Sequence, residues 1–409
     1  MIIDHRQNNV TGKKRRIAYG FSAAFASLFL GACGGVDPAV APSACVPVAD
    51  SASATENTAL LAILSETKTA YGLNAIIFNA TVSGKPILTT AIGESLPGIP
   101  ATTDMHFRVG MPAEQFEIAL MLKLAEEGLL DTEAPVSNWF PNYPYADRAT
   151  VRMLAASSAG FGDYVYSPGE PGKNNSFAEV LYANPLQQFS TAYLIAYSES
   201  PYQVPQFDNP GGDWAYSHTN FAVLGSILES VGTHSYSTLM HDQILSPLGL
   251  RDTTYATTAE IQAPVLHAFT SERGKYEEST DWSPSWTSYS GSLNSNVCDL
   301  TAWARAFGTD ALLAPGSTKQ ITATTNVGLG KNTPSLYFGL GVIVNNGWLI
   351  SSGNFFGWHT ATAYYPPRQI ALAVTSTEGP GSTNANAVST SMLRRMSQVV
   401  APEAPITLP

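Results

Sequence analysis

A helix that is apolar on more than one face has to lie inside a fold, and the entrance to such a helix can be read here residue by residue. Phe107-Arg108-Val109-Gly110-Met111-Pro112-Ala113-Glu114 runs into an apolar segment over residues 115–127. Pro112 suits the first helical position, where its missing N–H would be unpaired in any case. Glu114 falls in the first turn, where the helix dipole favours a carboxylate. Phe116, Ala119, Leu120, Met121, Leu122 and Leu124 crowd more than one face, the pattern of a buried helix. Gly128 then supplies the stop, because glycine takes the left-handed conformation after a helix without strain. Whatever fold forms must wrap around residues 115–127.

The flanking patterns say what does the wrapping. Residues 57–70 carry Leu60, Leu61, Ile63 and Leu64 at helical spacing and close on Gly72. Residues 75–81 and 86–92 are β-prone runs around Ser83-Gly84 and predict a hairpin. Residues 111–281 read mainly as helices, including 220–231 and 236–245, joined by long loops; the loop over 161–202 is long enough to border a site. Strands return over 337–344, 348–351, 358–365 and 370–375. They are broken by Asn345-Asn346-Gly347 and Pro366-Pro367-Arg368-Gln369, both good turn chemistry, and a last helix follows over 385–400. Sequential hairpins imply an antiparallel sheet. Strands at both ends with helices between imply an α+β fold, a sheet lobe (57–110 and 282–400) flanked by helices and interrupted by a helical lobe (111–281), with 401–409 as a tail.

The first 56 residues read differently. Lys13-Lys14-Arg15-Arg16 precedes a 16-residue apolar run, 17–32, short for a membrane span and close to a signal-peptide core. It ends in Leu30-Gly31-Ala32-Cys33, which resembles the bacterial lipobox. That resemblance implies cleavage after residue 32, a lipid on Cys33, and a flexible tether over 33–56 rich in Ala, Pro and Ser. The whole chain has 21 Lys and Arg against 32 Asp and Glu, a net charge of −11. Loss of 1–32 takes five basic residues and one acidic residue, leaving a net charge near −15. Such a surface is too acidic for nucleic acid or anionic lipid, so acyl chains would be the contact with the membrane. Cys45 and Cys298 are the other cysteines; a disulfide between them and a free, buried Cys298 are both compatible with export.

The motifs, taken in order, resemble the class C β-lactamases and secreted D-Ala-D-Ala carboxypeptidases of the serine β-lactamase-related family. The resemblance rests on Phe107-Arg108-Val109-Gly110, Leu124-Ala125-Glu126-Glu127-Gly128-Leu129-Leu130-Asp131, Pro210-Gly211-Gly212-Asp213-Trp214-Ala215-Tyr216-Ser217, Ser290-Gly291-Ser292-Leu293 and Phe338-Gly339-Leu340-Gly341. It covers residues 58–400 and implies a β-lactamase/transpeptidase-like fold. In that family a Ser-x-x-Lys opens the buried helix, a Tyr-x-Asn turn shares proton transfer, and a Lys/His-x-Gly strand lines the far side of the cleft.

Here the frame is kept and the chemistry is not. Met111 stands at the nucleophile position and has no acidic proton. Glu114 stands at the lysine position, an anion for a cation. Tyr216 is retained, and His218 replaces the asparagine. Ser351-Ser352-Gly353 aligns with Lys/His-x-Gly, so that Gly353 survives and Ser351 replaces the basic residue; His359 follows on the next strand. Tyr216 and His218, two apart in an extended segment, are expected to point the same way, with His218 facing Glu114 as a carboxylate–imidazole partner. Ser157-Ser158-Ala159-Gly160 fills the family's His-Thr-Ser-Gly turn. No Gly-x-Ser-x-Gly, His-Glu-x-x-His or cysteine pair points to another nucleophile, a metal or a cofactor.

The expected protein is therefore a lipid-anchored bacterial envelope protein, on the outer membrane or periplasmic face where two membranes exist, with a non-catalytic domain of this family. It would bind a peptide, a wall fragment or another envelope protein. The alternative is a rewired hydrolase that uses Glu114, Tyr216 and His218 on water or a relocated serine; a third reading is an interaction module whose cleft Met111 and its neighbours fill.

Overall fold

The computed structural model describes residues 45–166, 176–199, 205–383 and 387–408. The expected leader, Cys33 and the tether up to residue 44 lie outside the described residues. In chain order the fold opens with β1 (Val48–Ala49), α1 (Ala54–Tyr71), β2 (Leu73–Val82), β3 (Lys85–Leu96) and β4 (Phe107–Arg108). The middle holds α2 (Ala113–Glu126), α3 (Val151–Ala155), α4 (His218–Gly232), α5 (Tyr236–Met240) and β5 (Thr254–Tyr255). The chain then forms β6 (Leu293–Ser295), α6 (Val297–Phe307), β7 (Leu336–Phe338), β8 (Ile343–Asn345), β9 (Trp348–Phe355), β10 (Trp358–Tyr365), β11 (Ile370–Glu378) and α7 (Val388–Val400).

The main sheet runs β1-β3-β2-β11-β10-β9-β8-β7 and is antiparallel at every pairing. Its two halves come from opposite ends of the sequence and meet where β2 pairs β11, with Phe78 opposite Val374. The β2–β3 hairpin turns through Ser83 and Gly84, both at positive φ, the backbone that matches the twist of the flanking strands. A second, small sheet β4-β6-β5 carries the chain into α2.

Side-chain alternation along the strands builds two cores. Ile76, Phe78, Leu372 and Val374 face α1 and α7, packing on Leu60, Leu64, Met392 and Met396. Ala75, Ile77, Ala371 and Ala373 face the other way, toward α2 and α6. The small alanines of β11 let α6 lie close, and Trp303 of α6 stacks on Phe116 of α2 with ring centroids 3.7 Å apart. Such a pair is worth about 0.5–1.5 kcal/mol beyond its burial. It fixes α2 between the sheet and the rest of the helical lobe, where all but a few of its residues are buried.

Several sequence expectations need correction. Residues 45–56 are not tether: β1 pairs β3, Asp50 caps a short turn, and α1 starts at Ala54, before the expected 57. Residues 401–408 are not a loose tail, because Ile406 and Leu408 are buried and the Trp348 Nε1 donates to the Ala404 carbonyl at 2.7 Å. The single strand expected over 337–344 is two, β7 and β8, folded back on each other around Gly341 at φ +59°. Residues 111–281 also give β5 and the strand pair Phe269–Thr270 and Glu277–Glu278, so that segment is not wholly helical. Cys45 and Cys298 are joined as a disulfide, which settles the two options left open by the sequence.

Candidate functional site

The site is assembled where three segments meet, and each is held by backbone features visible in its own sequence. Gly110 at φ +67° turns the chain out of β4, Pro112 stands at the N-cap, one residue before the first helical position expected of it and with no capping bond, and the Glu114 N–H donates to the Met111 carbonyl at 2.9 Å to close the first turn. Met111 is thereby left half-buried at the helix entrance. Glu114, one turn on, is 1% exposed.

The second segment is the turn before α4. Ser157 and Gly160 take positive φ, and the carbonyls of Ser157 and Ser158 accept from Ala215 and Gly211. The loop that ends in Tyr216 is thus pinned to the turn after α3. A side chain at Gly160 would strike the Phe207 carbonyl at 2.6 Å, so glycine is required there. Tyr216 consequently points its hydroxyl inward, where it donates a very short hydrogen bond to Glu114 Oε1.

The third segment is β9. Gly353 lies against the helix entrance: a Cβ there would come within 2.7 Å of Met111 Cβ. Ser351, two residues earlier and so on the same face, is 5% exposed and sits opposite Thr362. The structure therefore brings Met111, Glu114, Tyr216 and Gly353 together, with Ser351 on the adjoining strand face.

His218 departs from expectation. It is not in an extended segment but is the first residue of α4, after Ser217 as N-cap. Its ring still meets that of Tyr216, with centroids 5.0 Å apart. Its partner is Asp163, with Nδ1 2.9 Å from Oδ2, and not Glu114, because the Tyr216 hydroxyl occupies the Glu114 carboxyl. His359 belongs to a different group; it sits between Asn354 and Glu378, with 3.0 Å to the latter.

Two functional candidates were missed by the sequence reading. Asp163 stands in an irregular segment with no periodicity to flag it. Glu117 had a signal: a second acid, one turn beyond Glu114, in an otherwise apolar helix. It is 0% exposed, and neither carboxyl oxygen makes a hydrogen bond of proper geometry, although the Gly225 backbone is close enough to favour its charged form slightly.

Electrostatics follow from burial. The Glu114 carboxyl is pushed well above the usual carboxylate range by desolvation, and Asp163 adds to this, against the Tyr216 hydrogen bond that favours charge. Glu117 is raised by desolvation and then by Glu114. The Tyr216 phenol is raised by burial and by Glu114. Burial thus favours the protonated forms of the two acids and the phenol on the floor of the site, and positions 111 and 114 carry neither an ammonium nor a hydroxyl. Among the described residues no three His, Cys, Asp or Glu side chains converge as a metal site would need, and no helix is long and apolar enough to cross a membrane.

A buried helix entered from a small sheet, a tyrosine turn set against it, and a main-sheet strand closing the far side define a β-lactamase/transpeptidase-like domain. The chain belongs to the Beta-lactamase family, whose sequence profile matches residues 62–393. Penicillin-binding protein 4* of Bacillus subtilis is 23% identical over 160 residues, 38% of this chain and 31% of that protein. Penicillin-binding protein 4 of Amycolatopsis lactamdurans is 23% identical over 237 residues, 56% of this chain and 57% of that protein. The matched part of the chain thus spans about a third of the first relative's length and just over half of the second's. Among solved structures, the D-stereospecific amidohydrolase from Streptomyces sp. shares the fold, with a TM-score of 0.73 and 22% identity over 85% of this chain and 99% of that one.

Proposed function

We propose that this domain is a non-hydrolytic member of its family, held at the bacterial envelope through a lipid on Cys33, which uses the cleft to bind a peptide or wall-derived ligand without being acylated by it. One observation carries this reading. Where the family places a nucleophilic serine and its lysine, this chain has a thioether against β9 and a buried carboxyl tied to Tyr216. A thioether has no proton to lose and cannot form an acyl ester, and a carboxyl whose buried site favours its protonated form is no substitute for the lysine. The relatives named as penicillin-binding proteins support a β-lactam-like or peptide ligand. The leader and lipobox support the envelope.

The test is intact mass spectrometry of folded residues 34–409 after exposure to a penicillin and to a fluorophosphonate, with no adduct expected. A stoichiometric adduct would mean that a serine has taken over and would overturn the reading. The His218–Asp163 pair beside Tyr216 favours a second reading, a hydrolase that activates water through His218, with Glu114 and Tyr216 holding protons. Amide turnover that is abolished by both Glu114→Gln and His218→Ala would establish that reading instead.

A further inference from the structure

Glu114 and Glu117 are three residues apart on α2 and therefore neighbours on its surface, and both are buried. The groups acting on them come from every element packed around that face. Tyr216 lies before α4, Asp163 and Tyr164 after α3, Tyr236 on α5 and Tyr255 on β5, with Glu229 of α4 and Tyr289 reaching the same cluster through Tyr236. All are acids or phenols; His241 and Asp242, on the helix His241–Leu245 that also packs on α2, are exposed and pair with each other. The imidazole of His218 meets the Tyr216 ring but is held by Asp163. A carboxylate in a dry interior without a cation is too costly to persist; either it keeps its proton or the packing around it gives way.

We propose that Glu114 and Glu117 form a proton-loaded latch beside the cleft: with both protons on, α2 packs against α4 and Glu114 holds Tyr216, whereas loss of a proton loosens that packing, so that this side of the cleft is tight in acid and opens increasingly as pH rises. The sign follows from linkage. The closed state holds protons that an opened, hydrated state gives up, so opening is favoured from the ordinary glutamate range, about 4.3, upward through the raised closed-state values. Charge on one carboxyl opposes charge on the other, so the first proton released belongs to the pair. Each proton released multiplies the opening constant by up to about tenfold per pH unit.

Hydrogen exchange on the full chain between pH 5 and 8, with the intrinsic chemical rate divided out, reads this directly on peptides from 113–126 and 218–232. The wild type should show an opening constant that rises severalfold per pH unit in both peptides. The double variant Glu114→Gln/Glu117→Gln, which mimics the protonated pair, should be flat. Glu117→Gln alone keeps the bond to Tyr216 and should show a reduced slope, which keeps the test available should the double variant fail to fold. A wild type whose opening is independent of pH, or a slope that persists unchanged in the Gln variants, would overturn the proposal. Neither result depends on whether the cleft is acylated, so this proposal and the functional reading fail separately.

Discussion

Gly353→Ala tests the register on which the site assignment depends. A Cβ built on Gly353 falls 2.7 Å from Met111 Cβ, 2.8 Å from its Cγ and 3.0 Å from its backbone nitrogen. Carbon atoms in contact normally sit about 3.5–4.0 Å apart. Rotation about the Met111 side chain relieves the Cγ contact, but Cβ and the nitrogen move only with the backbone at the entrance of α2. Overpacking of this kind costs about 1–3 kcal/mol. Urea unfolding of Gly353→Ala should show a loss of that size. Met111→Ala leaves two of the three contacts and should return little of it, whereas Met111→Gly leaves only the nitrogen and should return most. The double-mutant cycle with Met111→Gly should give a coupling of about 1 kcal/mol or more. A Gly353→Ala protein within about 0.5 kcal/mol of wild type, or a cycle without coupling, would show that β9 does not close on the helix entrance. Ser351-Ser352-Gly353 would then lose its place in the site.

Met111→Ser alone should remain unlabelled by penicillin in an intact-mass assay, because Glu114 and Ser351 still offer no basic group; robust labelling would show that the remaining site is more competent than the geometry indicates. Tyr216→Phe leaves the buried Glu114 carboxyl without its donor and should cost about 1–3 kcal/mol in urea unfolding, and a neutral result would mean that the two side chains do not share a bond. The Asp299 carboxyl is pushed up to about 7, by burial first and by Asp252 in addition, against its bond from Thr253. The folded state therefore holds a proton that the unfolded chain releases near pH 4, so up to about 4 kcal/mol is present in acid and is lost as pH rises to about 7. Urea midpoints taken across that window should be flatter in Asp299→Asn, and an unchanged profile would assign the effect elsewhere. Replacement of Cys45 and Cys298 by serine opens a link between residues 253 apart. The chain-entropy relation then gives a loss of about 5.5 kcal/mol, checked by the unfolding midpoints of the variant and of the oxidised wild type; a shift below about 1 kcal/mol would refute the entropic account.

The parts of this fold that were legible in the sequence are those where local chemistry and global packing agree. The glycine and proline at the entrance of α2 dictate its start, and its all-round apolar surface dictates that it is central. The hairpin at Ser83-Gly84 is local turn chemistry, and β10 runs over 358–365 as its pattern reads. What could not be read depends on partners distant in sequence. Residues 45–56 look like tether because two residues of β1 carry too little pattern to announce a strand that exists by pairing with β3. The split between β7 and β8 hinges on Gly341, whose positive φ no periodicity reveals. In the site, Met111, Glu114 and Tyr216 were found from their frame. The choice of Asp163 over Glu114 as the partner of His218 was not, because it depends on how a patternless segment after α3 folds back against α4.

The disulfide has a mechanical consequence. Tension along the chain before Cys45 would otherwise meet the domain at β1, which is joined to β3 through only two residue pairs, Val48 with Thr89 and Ala49 with Leu88. The Sγ–Sγ bond stands ahead of those pairs and delivers the pull to Cys298, in the first turn of α6. That helix is locked to α2 by the stack of Trp303 on Phe116. A pull from the N-terminal side would load the core before the edge strand, as a cable is clamped inside a housing before it reaches the terminals. A load applied ahead of Cys45 can then be borne without unzipping the sheet that closes the cleft.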